Sequence, residues 1–344
     1  IFQLEYLQIW NYEIGNHSLT EWINDGLMTI FFLLIGLELE REVYIGELST
    51  LKKAALPLIG ALGGMIIPAL IYAGFNQGTT TQSGVGIPMA TDIAFAIGIL
   101  SLLGNRVPMS LKVFLTALAV IDDLGAIIVI AIFYTSSISL LNLGIALVIL
   151  GVLFILNRLK VNNLIPFLIG GILMWYFMLN SGVHATITGV LLAFVIPFGD
   201  GSKKNISYKL QHILHQPVAF FILPLFALAN TCIILNSNWY EGLSHSNSIG
   251  IILGLFIGKP IGIWLFSYLG VLLGIGILPK SLNWSSLFGA AILGGIGFTM
   301  SIFISLLAFD NNQDIINSKI AILIASTIAA ITGFIFLKIK LKRD

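Results

Sequence analysis

Charge is the scarcest property of this chain. Asp, Glu, Lys and Arg make up 10% of its 344 residues, hydrophobic types make up 57%, and the mean hydropathy is +0.99. Soluble domains carry about a quarter charged residues. The composition therefore excludes an ordinary soluble fold and calls for an integral membrane protein with little mass outside the bilayer. The net charge of +1 makes no basic field and gives no case for a nucleic-acid partner. Cysteine is nearly absent: Cys232 stands alone and cannot form an intrachain disulfide. Nucleotide-binding glycine motifs, low-complexity tracts and clusters of metal ligands are lacking too, so nothing calls for ATP or a bound cofactor. No signal peptide precedes the first apolar run. Residue 1 is Ile, and the native N-terminus is expected further upstream.

What the chain has is long apolar runs. A spanning helix needs roughly 20 mainly apolar residues. Eleven stretches read as spans: 21–43, 54–75, 86–103, 109–134, 139–157, 164–181, 184–199, 211–235, 248–273, 286–309 and 317–338. Period-2 alternation is absent and the runs are far longer than barrel strands, so the expected class is all-α polytopic. Lys and Arg set the orientation. Of the 17, all but Lys259, inside a helix, and Lys319 fall on one side. They are Arg41, Lys52, Lys53, Arg106, Lys112, Arg158, Lys160, Lys203, Lys204, Lys209, Lys280, Lys338, Lys340, Lys342 and Arg343. The opposite loops, 76–85, 135–138, 182–183 and 236–247, hold none. By the positive-inside rule the charged side is cytoplasmic. The C-terminus is then inside and residues 1–20 outside, which again predicts a helix upstream of residue 1.

Residues 7–19, LQIWNYEIGNHSL, are too polar to span. Gly15-Asn16 between short β-prone stretches signals a hairpin; the alternatives are an irregular loop or an edge strand that pairs with another subunit. Two spans look interrupted. GIPMATDIAFAIG (86–98) carries Pro88 and Thr91-Asp92 in mid-span, and LGGIGFTMS (293–301) carries three glycines and Thr299. Non-helical backbone at membrane depth is tolerated where it is buried in protein or lines a wet cavity. Each interrupted span is the middle of a trio, within 54–134 and 248–338 of one transmembrane domain, and the trios start on opposite sides of the membrane. That is an inverted repeat, and paired interruptions point to an ion or substrate site at the midplane.

Four ionisable residues lie well inside the spans: Asp92, Asp122, Asp123 and Lys259. A charged side chain at the bilayer centre costs about 3 kcal/mol on insertion scales, and such groups mark function. The bland alternative is a structural salt bridge plus a helix-packing carboxylate. Three acids against one base leave excess carboxylate, which needs a proton or a metal cation. Asp122 and Asp123 point about 100° apart on a helix, so the pair can address a cation path and Lys259 at once. Burial and a second carboxylate favour the protonated form, and an ammonium favours the ionised one. Such a pair can hold protons near neutral pH and release them when a cation arrives, titrating as a unit. Near Thr91-Asp92, hydroxyl and freed carbonyl oxygens suit a hard cation such as Na⁺ or Li⁺. Alternatively Asp92 neutralises positive helix ends and Lys259 negative ones.

Other residues have blander readings. His184 is a pH-sensitive group or a helix-start histidine bonded to backbone. Glu38, Glu40, Arg41 and Glu42 form a solvated helix end, a cation funnel or a proton-sensing patch. His212 and His215 lie near the cytoplasmic face and titrate in the physiological range.

Six stretches carry a resemblance. FFLLIGLELERE (31–42), ATDIAFAIGIL (90–100), ALAVIDDLGAI (117–127), SGVHATITGV (181–190), LFIGKPIGI (255–263) and GIGFTMSIFI (295–304) resemble the NhaA sodium/proton antiporters of bacterial inner membranes. The similarity runs from about residue 20 to 340. It implies an inverted-repeat antiporter fold with two crossing discontinuous helices. It implies twelve helices with both ends cytoplasmic; with eleven read here, the family's first helix is expected to be missing from this stretch of chain. It implies a Na⁺ site on Asp122 and Asp123. Asp123 would be the main ligand, and Asp122 would alternate between proton or ion and a bridge to Lys259. Thr91 and Asp92 match the interrupted-helix pair. Glu38, Arg41, Glu42 and His212 match positions associated with pH activation. Residues 7–19 match an extracytoplasmic hairpin that joins two protomers. Gln211 and Glu40 depart from some members, which have glutamate and lysine there, and this bears on the pH profile.

The expectation is a secondary antiporter in a bacterial inner membrane, not an enzyme: protons enter, Na⁺ or Li⁺ leaves, and the ions are cargo rather than cofactors. Exchange is expected to be pH-regulated and electrogenic. The partners expected are membrane lipid and a second copy of the chain. The rivals are a cation channel with an acidic ring, a sodium-coupled symporter, and an intramembrane aspartyl protease.

Overall fold

The structure, a computed structural model, describes residues 9, 10, 12–14, 17–134, 138–231, 233 and 239–341. Gly15 and Asn16 of the expected hairpin, Cys232, Lys342 and Arg343 lie outside the described residues. Strand β1 (Glu13–Ile14) pairs antiparallel with β2 (His17–Ser18), with Glu13 opposite Ser18 and Ile14 opposite His17. Ser18 then caps the first helix. Its hydroxyl accepts from Glu21 N at 3.2 Å and the Glu21 carboxylate accepts from Ser18 N at 2.8 Å, a reciprocal capping box.

The helical elements are α1 (Leu19–Tyr44), α2 (Leu51–Asn76), α3 in two halves (Gln82–Met89 and Ile93–Ser101), α4 (Met109–Phe133), α5 (Leu140–Arg158), α6 (Ile165–Leu179), α7 (Ile187–Val195), α8 (Ile206–Asn230), α9 (Ser246–Leu272), α10 in two halves (Trp284–Gly294 and Phe298–Ala308) and α11 (Asn312–Lys340). Among the described residues, eight helices are long and apolar enough to cross a membrane, or nine with the two halves of α10 taken as one span. The chain is a multi-pass helical membrane protein. Two expected spans differ. Helix α6 has 15 residues. Helix α7 has nine, about 13 Å of helix, because residues 181–186 run as tight turns and Pro197 denies the helix a donor past its C-cap Ile196.

The chain forms two compact units. The first is Ile1–Gly46 with Ile130–Ile234. In it α1 lies on α7 with almost no gap: a Cβ on Gly189 would sit 2.2 Å from Thr29 O. Leu33, Leu37, Phe167, Met174, Leu192 and Ala193 fill its core.

The second unit is Glu47–Val129 with Leu235–Asp344. Helices α2 and α9 meet at facing glycines. A Cβ on Gly262 would fall 2.1 Å from Gly63 O, so only the bare backbone fits; small residues serve such close approach in membranes. Towards one end, α2, α3, α9 and α11 are tied by buried polar side chains. The Tyr72 hydroxyl lies 2.7 Å from Thr81 O and 2.8 Å from Asn247 Oδ1, and Asn247 Nδ2 donates to Ser318 Oγ at 2.8 Å. An apolar cluster of this unit includes Leu100, Leu111, Leu115, Leu293 and Ala329.

Both interrupted helices belong to this unit. The first half of α3 is a 3-10 helix that ends at Met89, three residues follow without helical bonding, and Asp92 caps the α-helical second half. Pro88 is accommodated in the 3-10 half, so the break falls just after it. Helix α10 breaks at residues 295–297, and its halves are bent by 45°.

Candidate functional site

The two breaks come together, and side chains and backbone stitch them. Asp92 N donates to Ile296 O at 2.6 Å. Asp92 caps two helix halves with one carboxylate. Its Oδ1 accepts from Phe95 N at 3.2 Å, in its own helix. Its Oδ2 accepts from Thr299 N at 3.1 Å and from the Thr299 hydroxyl, at the start of the second half of α10. An anion at a helix N-terminus is stabilised by the unpaired N–H groups and the helix dipole, and here two N-termini share it. Asp92 is 3% exposed and Thr299 2%, so water does not compete.

Helix α4 brings the adjacent aspartates to the same place. Asp122 and Asp123 are each 1% exposed. Lys259, from α9, is fully buried, and its Nζ lies 3.0 Å from Asp122 Oδ2. The same ammonium donates to Met89 O, at the end of the first half of α3. Lys259 follows directly on a π-helical turn, Gly254–Gly258, a local widening often found at functional sites. The ammonium thus bridges a carboxylate and the negative end of a half-helix. Coulomb attraction in a dry interior is strong, yet burying both charges costs several kcal/mol each, so such a pair persists only with good geometry and further hydrogen bonds. Met89 O and Thr91 supply those bonds.

Thr91 is fully buried, and its Oγ1 lies 2.7 Å from Asp122 Oδ2 and 2.9 Å from Gly294 O. A hydroxyl has one proton to give. With Asp122 ionised, the two acceptors compete for it. With Asp122 protonated on Oδ2, the carboxyl can donate to Thr91 while Thr91 donates to Gly294 O. The other oxygen, Asp122 Oδ1, is buried without a hydrogen-bond partner among the described residues. A buried carboxylate oxygen left so is costly unless it takes a proton or a cation.

Four carbonyls at the breaks are engaged within the protein. Gly294 O faces Thr91, Ile296 O accepts from Asp92 N, Ile87 O accepts from Ser301 Oγ at 2.7 Å, and Met89 O accepts from Lys259. Of the carbonyls that sequence reading offers to a cation here, these four already serve as scaffold. Asp122 Oδ1 is a carboxylate oxygen left without a hydrogen bond among the described residues. Among the described residues there is no cluster of three or more His, Cys, Asp and Glu side chains that would hold a metal ion permanently.

The other residues singled out from sequence lie in the first unit. Arg41 Nη1 reaches Gln211 Oε1 at 3.4 Å and its guanidinium sits 5.0 Å from the Tyr208 ring centre. The His212 ring is stacked with Tyr208, 6.2 Å from it and nearly parallel. Glu38 pairs with His215 at 3.7 Å. Glu40 is 5% exposed and bonds Ser207, and Glu42 lies on the same turn of α1. His184 Nε2 lies 2.7 Å from Tyr134 O, the backbone-bonded arrangement. Glu38, Arg41 and Glu42 therefore share one end of α1 with His212 and His215 of α8. Three groups at the breaks escaped site assignment from sequence: Met89 O, Thr299 and Ser326. Thr299 stands in the interrupted stretch and was visible there. Ser326 sits in ILIASTIAA, where a single hydroxyl in an apolar helix gives no signal of its partner.

Buried carboxylates against one buried lysine, at paired breaks in membrane helices, define a secondary ion carrier. Comparison with known proteins narrows this class. The chain matches Na+/H+ antiporter 1 over residues 2–337 and belongs to that family. It is 70% identical over 333 residues to Na(+)/H(+) antiporter NhaA 1 of Flavobacterium johnsoniae, covering 97% of this chain and 87% of that one. It is 66% identical over 337 residues to Na(+)/H(+) antiporter NhaA of Flavobacterium psychrophilum, covering 98% and 88%. The Na(+)/H(+) antiporter NhaA of Dechloromonas aromatica is 57% identical over 343 residues, with 98% and 88% covered.

Proposed function

We propose that this chain exchanges protons for Na⁺, and for Li⁺, across a bacterial inner membrane, with its C-terminus in the cytoplasm. The observation that carries the reading is the buried Asp122–Lys259 pair beside Asp123, with Asp122 Oδ1 unengaged. Names of relatives 57–70% identical support Na⁺ and H⁺ as exchanged ions. Protons and cation compete for the same carboxylates, so one alternating-access site suffices and no energy source other than the ion gradients is needed.

The roles proposed are those that the resemblance to the family implies. Asp123 is the main cation ligand. Asp122 exchanges its bridge to Lys259 for a proton or for the cation. Lys259 supplies positive charge to the site when the cation is gone. Thr91 and Asp92 hold the two breaks in register, Asp92 as a helix-end neutraliser with both oxygens already engaged. Two protons released per cation make exchange electrogenic. The 54–134 and 248–338 segments act as inverted repeats around this site, each contributing one broken helix. Glu38, Arg41, Glu42 and His212 regulate exchange by pH from the end of α1, with Gln211 as the partner of Arg41. The β1–β2 ribbon joins two protomers.

Everted membrane vesicles from a strain without sodium/proton exchange test the reading. An acid-inside gradient is built and NaCl, LiCl or KCl is added across a pH series. The expected result is collapse of the gradient by Na⁺ and Li⁺ and not by K⁺. Absence of collapse at every pH rejects it and favours a sodium-coupled symporter. Collapse at rates far above a carrier's, without proton coupling, favours a channel.

A further inference from the structure

The positive end of the second half of α10 is divided between two side chains, and only one of them is charged. A helix N-terminus presents four N–H groups without helical partners, equivalent to about half a positive charge. Here Thr299 N goes to Asp92 Oδ2 at 3.1 Å. Gly297 N and Phe298 N both go to Ser326 Oγ on α11, at 3.2 and 3.1 Å. Ser326 is buried, 6% exposed. We infer that Ser326 is a positioning residue for the ion site: its neutral hydroxyl occupies two of the donors that would otherwise draw on the Asp92 carboxylate.

The argument runs along adjacent atoms. If the hydroxyl is removed, two buried N–H groups are left unpaired one and two residues from the one already bonded to Asp92. The Asp92 carboxylate, already bonded at the next residue, is a strong acceptor at the same helix end. Asp92 is then pulled further onto α10 and off Phe95 N, which it caps in α3. Thr91, the preceding residue, moves with it, and Thr91 is the group that bonds Asp122. The extra positive potential at the helix end acts in the same direction, against a bound cation. Ser326 therefore changes cation affinity, not the capacity to turn over.

The inference rests on the proposed Na⁺ exchange, so binding and transport are measured separately. Na⁺ binding to the detergent-solubilised full chain is followed by calorimetry, and exchange by the vesicle assay. Ser326→Ala is expected to raise the Na⁺ Kd and the apparent KM about three- to tenfold, the range of a helix-end interaction, with the saturating rate within about twofold of wild type. Ser326→Thr, which keeps the hydroxyl, restores both. Thr327→Ala removes an exposed hydroxyl that only returns to Leu323 O in the same helix, and leaves both constants unchanged. If Ser326→Ala does not fold, Ser326→Cys decides, since its sulfur accepts poorly and Kd should still rise. A lowered thermal midpoint with unchanged Kd and KM, in Ala or Cys, overturns the inference and makes Ser326 structural only. Wild-type Na⁺ binding without exchange rejects the antiporter reading and leaves the Kd series to judge Ser326. Absence of wild-type Na⁺ binding overturns both.

Discussion

Asp123→Asn is expected to abolish Na⁺- and Li⁺-dependent proton movement, to below about one hundredth of the wild-type rate. The substitution keeps the size and shape of the side chain. It removes the negative charge and the ability to carry a proton. A hard monovalent cation leaves water only for oxygen ligands that replace its hydration, and in a buried site a carboxylate gives far more than an amide. Loss of one ligand charge in a low-dielectric site costs several kcal/mol of affinity, and about 2.7 kcal/mol is a hundredfold in binding. Folding should survive, because an amide is less costly to bury than a carboxylate. The check is the vesicle assay at matched protein amounts, with the thermal midpoint measured on the purified variant. Retained exchange in a folded Asp123→Asn variant would remove Asp123 from the ion path.

Lys259→Ala is expected to lower the thermal midpoint by roughly 10 °C. The ammonium is fully buried, 3.0 Å from Asp122 Oδ2, and it also holds Met89 O. Breaking a buried pair from one side costs about 3–5 kcal/mol, because the partner is left charged and unpaired. A loss of that size shifts the midpoint of a chain of 150 or more residues by about 2–4 °C per kcal/mol. The released carbonyl at Met89 and the cavity left by three methylenes and the ammonium add to the loss. Charge movement per cation should change as well, since the positive charge that alternates with Na⁺ is gone. Differential scanning fluorimetry reads the first effect and current on a supported membrane the second. An unchanged midpoint with unchanged charge movement would mean that the bridge contributes neither stability nor coupling.

The sequence made different parts of this site legible for different reasons. Burying an ionisable group in a membrane is so costly that Asp92, Asp122, Asp123 and Lys259 announce themselves by position alone. Glycines 294, 295 and 297 and Pro88 mark helices that cannot continue, and both breaks are found close to those residues. The apolar runs likewise place α1 to α5 and α8 to α11 to within a few residues, because length and hydropathy are local properties. What stayed hidden depends on partners distant in the chain. That both Asp92 oxygens are spent on helix caps follows from α10 lying over α3. That Ser326 serves two N–H groups follows from a contact across 28 and 29 residues. The carbonyls near Thr91 looked free because sequence shows where helical bonding stops and not which side chains take over. Helix α7 is short because of turns before it and Pro197 after it, and its apolar composition hides both. The π turn before Lys259 also has no sequence mark beyond Gly254, Gly258 and Pro260.

The measurement that bears most directly on the account is the dependence of apparent Na⁺ KM on proton concentration, in proteoliposomes of the purified chain at fixed membrane potential. If protons and Na⁺ take turns on the carboxylates of Asp122 and Asp123, apparent KM rises steadily as pH falls, whatever the pH-regulating groups at the end of α1 do to the saturating rate. A saturating rate that falls with pH while KM stays fixed would mean that protons act elsewhere, and would contradict a shared site.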